Sequence, residues 1–150
     1  FSMPGWRMGF AVGNEYLISA LTRIKSYLDY GAFTPIQVAA VAALNSEVKV
    51  IDEIRNIYKE RRNILVDSFS NAGWNIPLPK ATMFAWSPIP DKYNKLSSLE
   101  FSKLLLEEVD IAVSPGVGFG EYGEGFVRLS IVENEQRIRQ AARNLRRIMK

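Results

Sequence analysis

SPGVGFGEYGEGFVRLSIVENEQRIRQAARNL, Ser114 to Leu145, is the stretch on which the fold turns. It contains Gly118-Phe119-Gly120-Glu121-Tyr122-Gly123, a literal G-x-G-x-x-G. A dinucleotide-binding fingerprint requires a helix directly after such glycines, because the pyrophosphate sits on that helix's N-terminus. Here FVRLSIV follows. Val127, Leu129 and Ile131 alternate with Phe126, Arg128, Ser130 and Val132, and this period of two predicts a strand over Phe126 to Val132. The glycines therefore read as a turning loop that feeds a strand, and QRIRQAARNL as a helix after it. The strand places Arg128 among largely apolar neighbours, where a guanidinium needs an anion. One candidate is a structural carboxylate, Glu121 or Glu124. The other is a ligand carboxylate accepted by the planar fork through two parallel hydrogen bonds. Spacing alone leaves both open.

Working upstream, Ser97-Ser98-Leu99-Glu100 is a capping box that opens an amphipathic helix through Phe101, Leu104, Leu105 and Val109. Thr82 to Trp86 and Ile111 to Ser114 read as strands. Strand, helix, strand, loop, strand, helix is an α+β arrangement. From Glu47 to Ala72 the apolar spacing is helical throughout, with Gly73 as a natural stop. A helix of that length in so short a chain suggests a connector between two bodies, with Arg55, Lys59, Glu60, Arg61 and Arg62 on its solvated side. Thr34-Pro35-Ile36-Gln37 predicts another helix start, with Thr34 as cap and Gln37 closing a capping box. Asn14 is an expected N-cap, and Gly31 stops the helix that it opens. Met8 to Gly13 reads as a short strand. At its mouth Arg7 stands beside Gly5 and Trp6, where a ligand could approach, and an ordinary ion pair is the alternative.

Composition narrows the chemistry. The 150 residues are 47% hydrophobic and 23% charged with a net charge of +3, which suits a globular fold and argues against disorder. There is no Cys and no His. Thiolate chemistry, a Ser-His-Asp hydrolase and a zinc centre are thereby close to excluded, and no metal site is expected. The longest apolar run is too short to cross a membrane. A cytoplasmic protein with no membrane partner is the expectation. Arg137, Arg139, Arg143, Arg146 and Arg147 give the last helix a basic face, which reads as solvated. A small basic α+β nucleic-acid-binding or structural module is the alternative.

Four stretches, SMPGWRMGFAVG, SYLDYGAFTPIQVAAVAALN, PLPKATMFAW and the Ser114–Leu145 segment, resemble consecutive pieces of a class I/II (fold-type I) aminotransferase dependent on pyridoxal phosphate, in its alanine- and LL-diaminopimelate-aminotransferase-like branch. The resemblance implies the C-terminal part of such an enzyme. Residues 1–33 would be the tail of the large cofactor-binding domain and 34–72 the linking helices. Residues 73–150 would be the small C-terminal α+β domain. It implies that Arg7 binds the cofactor phosphate and that Arg128 binds the α-carboxylate of an amino acid or 2-oxo acid substrate. It implies a homodimer, with the loop from Asp29 to Thr34 reaching toward the neighbouring subunit. The loop from Gly116 to Gly125 would flex as the small domain closes. Counting back from Arg7 puts the Schiff-base Lys upstream of Phe1. No catalytic residue is then expected within the chain, which alone should not transfer amino groups.

Overall fold

The structure, a computed structural model, describes residues 1–149. It is α+β and divides into two compact units, Phe1–Ile54 and the chain from Arg55 onward.

In the first unit a single 3-10 turn, Pro4–Trp6, precedes helices α1 (Glu15–Leu28) and α2 (Thr34–Leu44). The expected cap on α1 is present: Asn14 Oδ1 accepts from the Tyr16 and Leu17 amides. α1 ends before Gly31, which takes φ +94°. The cap expected at Thr34 is not made. Thr34 is already helical, Phe33 occupies the N-cap without a side-chain bond, and Gln37 Nε2 donates to the Ala32 carbonyl instead. The strand expected over Met8–Gly13 is also absent. A strand requires a neighbouring backbone to satisfy its amides and carbonyls, and among the described residues none pairs with this segment.

Helix α3 (Val48–Ser70) runs through the boundary between the units. Its end is closed as the sequence predicts, with Gly73 at φ +102° and the Trp74 amide donating to the Phe69 carbonyl. Two of its expected solvated cations have structural duties. Arg61 is paired with Glu135 at 3.2 Å and donates to the Val132 carbonyl, and Arg62 donates to the Pro79 carbonyl.

The second unit contains a three-stranded antiparallel sheet in the order β1 (Phe84–Pro88), β3 (Phe126–Ser130), β2 (Ser114–Pro115). Pairing on the β2 side begins only at Ser114, so most of the expected 111–114 strand lies outside the ladder. Helices α4 (Ser98–Val109) and α5 (Glu135–Met149) complete the unit. Val127, Leu129 and Ile131 are buried with Phe101, Leu105 and Val109 of α4 and Ile138, Ala142 and Leu145 of α5. Trp74 lies at the centre, edge-on to Phe101 at 5.4 Å, with its indole N–H donating to the Pro88 carbonyl. The α4 capping box forms as predicted: Ser97 Oγ accepts from the Glu100 amide, and the Glu100 carboxylate accepts from the Ser97 amide. The arginines of α5 face solvent. No helix among the described residues is long and apolar enough to cross a membrane.

Candidate functional site

The alternation in β3 sends Val127 and Leu129 into the helix-covered core and leaves Phe126, Arg128 and Ser130 on the open face. Register then fixes the neighbours of Arg128: Trp86 on β1 and Ser114 on β2 stand directly opposite. Phe84, two residues before Trp86, shares that face. The Arg128 guanidinium carbon lies 4.2 Å from the centroid of the Phe84 ring and 4.5 Å from that of Phe119. At these distances a ring face attracts a cation. Trp86 extends the aromatic wall, stacked on Phe126 at 5.7 Å and edge-on to Phe119 at 5.7 Å.

Arg128 donates one hydrogen bond, from Nη2 to Ser114 Oγ at 3.3 Å. Among the described residues no carboxylate lies within ion-pair distance of it. The structural alternative, an ion pair with Glu121 or Glu124, is therefore not made. Glu124 has other partners. Its Oε1 accepts from the Ser98 amide at 2.5 Å and the Gly125 amide at 3.0 Å, and its Oε2 from Ser98 Oγ at 3.0 Å. A guanidinium carries five N–H donors in a planar fork. Here it is flanked by rings, partly buried and held on one edge by a hydroxyl, with no carboxylate partner among the described residues.

The loop that delivers Phe119 consists of two 3-10 turns, Gly116–Phe119 and Glu121–Gly123. They meet back to back, and a Cβ on Gly116 would come within 1.9 Å of the Gly123 carbonyl oxygen. A strand follows the glycines, as the alternation predicts, so the motif has no helix N-terminus on which to seat a nucleotide. Two participants escaped the sequence reading, Phe84 and Phe119. Strand alternation with Trp86 was a usable signal for Phe84. Phe119 had none, since only the closed loop brings it back over β3.

Hydrogen bonds from the Ser98 and Gly125 amides hold the Glu124 carboxyl below its ordinary value of 4.5. A carboxyl depressed on folding stabilises the fold fully above its unfolded-state value, and that contribution is lost as pH falls through the folded-state value. Glu100 and Glu135 behave in the same direction. The stability difference between wild type and Glu124→Gln should therefore shrink as pH drops below about 4.5. Urea unfolding at a series of pH values reads this, and a difference that stays constant with pH would refute it.

In the first unit, Arg7 closes the Pro4–Trp6 turn with a left-handed backbone, φ 51° and ψ 33°, its amide donating to the Pro4 carbonyl. That conformation costs a non-glycine residue roughly 1 kcal/mol. Arg7 is exposed, and among the described residues no carboxylate pairs with it. Among the described residues, each of the two arginines singled out in the sequence thus lacks a carboxylate partner.

A family profile, aminotransferase class I and II, matches residues 1–145. AatC of Rhizobium meliloti (strain 1021) is 67% identical over 149 residues, covering 99% of this chain and 37% of its own length. The glutamate-pyruvate aminotransferase AlaC of Escherichia coli (strain K12) is 52% identical over 146 residues, covering 97% and 35%. The substrate-bound BacF structure from Bacillus subtilis superimposes with a TM-score of 0.90 at 35% identity, covering 99% of this chain and 37% of that one. The chain thus spans little more than a third of the length of these relatives. None of these matches supports the nucleic-acid alternative. The chain belongs to the class I and II aminotransferase family.

Proposed function

We propose that this chain forms the C-terminal part of a pyridoxal-phosphate-dependent aminotransferase, which moves an amino group between an amino acid and a 2-oxo acid. The observation that carries the reading is Arg128, an aromatic-flanked guanidinium with no carboxylate partner among the described residues. Both substrate classes present an α-carboxylate, and a planar fork accepts that group bidentately. Ser114 fixes one edge of the fork and leaves donors free for the substrate.

Arg7 suits the cofactor phosphate. It is a permanent cation, exposed and, among the described residues, without a carboxylate partner. Bound cofactor supplies the electron sink that amino-group transfer requires. The chain's own contribution is to bind and orient: Arg7 neutralises the phosphate, and Arg128 sets the substrate carboxylate. The rings of Phe84 and Phe119 reduce the water competing for that cation.

Within the enzyme, residues 1–33 would end the large domain, 34–72 link, and 73–150 form the small domain. A cytoplasmic homodimer completes the proposal. Incubating the full-length enzyme with pyridoxal phosphate, ¹⁵N-labelled amino acids and 2-oxo acids should move label into the new amino acid, read by mass spectrometry. No label transfer across a panel of proteinogenic amino acids would sink the reading.

A further inference from the structure

Ser98 is the first residue of α4 and fully buried, yet its polar atoms join three separate segments. Its amide and hydroxyl donate to the two Glu124 carboxylate oxygens at 2.5 and 3.0 Å. Its Oγ also accepts from the Val117 amide at 3.2 Å. Glu124 stands at the exit of the glycine loop and Val117 at its entrance. The loop is thus tied at both ends to the start of one helix and closed between them by the Gly116–Gly123 contact. What the tied loop presents is Phe119. That ring is 52% exposed, with Arg128 and Trp86 as its aromatic-site contacts.

We propose that Glu124, acting through Ser98, and Phe119 are positioning residues for Arg128. Glu124 and Ser98 hold the loop, the loop holds Phe119 on the guanidinium, and the ring keeps the fork in one orientation before substrate arrives. Pre-ordering a flexible cation removes an entropic cost from carboxylate binding. The loop is a brace in this account, in contrast to the flexing segment that the family resemblance implies. The proposal rests on the reading of Arg128 as the substrate-carboxylate fork, and its test separates the two.

In the full-length enzyme, Phe119→Ala should raise KM for amino and 2-oxo acid alike by about tenfold, with kcat changing much less. Glu124→Ala should do the same. Glu124→Gln, which keeps an acceptor for the Ser98 amide, should stay within about threefold of wild type. In an Arg128→Lys background, which abolishes the fork, Phe119→Ala and Glu124→Ala should add nothing. Unchanged KM in the single variants, or full additivity on Arg128→Lys, would overturn the positioning role while leaving Arg128 in place. Unchanged KM in Arg128→Lys itself would bring down both readings. Should Glu124→Ala fail to fold, Phe119→Ala, at a half-exposed position, decides the matter.

Discussion

Arg128→Ala in the full-length enzyme lowers kcat/KM by about a hundredfold for the amino acids and 2-oxo acids proposed as its substrates, as the expected result of losing the cation that β3 holds on the open face of the sheet. The magnitude follows from what remains. A substrate carboxylate brought against Phe84, Trp86 and Phe119 would give up water, and without the guanidinium these rings offer no charge in its place. Truncating one member of such a pair costs about 2–5 kcal/mol. Partial burial of Arg128 argues for the middle of that range, about 3 kcal/mol. KM should rise for both partners of the reaction, because the α-carboxylate is their common feature. The kcat should fall too, since a carboxylate no longer pinned lets the reacting carbon drift from its position. Arg128→Lys should lose less, keeping the charge but not the fork. Steady-state kinetics with two unrelated amino acids settles it, and wild-type constants in Arg128→Ala would end the assignment.

How far the sequence anticipates this site depends on whether the signal is local. The β3 alternation, the Ser97–Glu100 box, the Asn14 cap and the Gly73 stop rest on residues within a few positions of one another. All four appear as predicted. Thr34 and Met8–Gly13 carry equally local signals and fail, because a cap can be bypassed by starting the helix one residue early, and a strand cannot exist without a partner. Arg61 misleads for a related reason. Its place on the helix surface is clear from periodicity, while its bonds to Val132 and Glu135 come from chain far downstream. At the site, the face of Arg128 is readable from alternation and the resemblance supplies a role. Its flanking rings arise from a sheet pairing and a loop closure that no spacing encodes.

The loop offers the sharpest contrast between what a motif suggests and what geometry requires. In GVGFG the three glycines look interchangeable, yet they are not. Gly116 faces Gly123 so closely that an added Cβ would lie 1.9 Å from the Gly123 carbonyl oxygen and 2.5 Å from the Phe126 carbonyl oxygen. Both obstacles are backbone, and neither can rotate aside. Gly118 has nothing within 4 Å and needs no left-handed backbone. Gly116→Ala should therefore force the two 3-10 turns apart and destabilise the fold by about 3 kcal/mol, the upper end of ordinary overpacking. Gly118→Ala should stay within about 0.5 kcal/mol. Separation of the turns would also disturb the Val117–Ser98 bond and withdraw Phe119 from Arg128, so the stability loss should come with a raised KM. Urea unfolding of both variants beside steady-state kinetics reads the two effects together. Equal stability of the two variants would mean that the Gly116–Gly123 contact does not close the loop, and that the ring over Arg128 is held by something else.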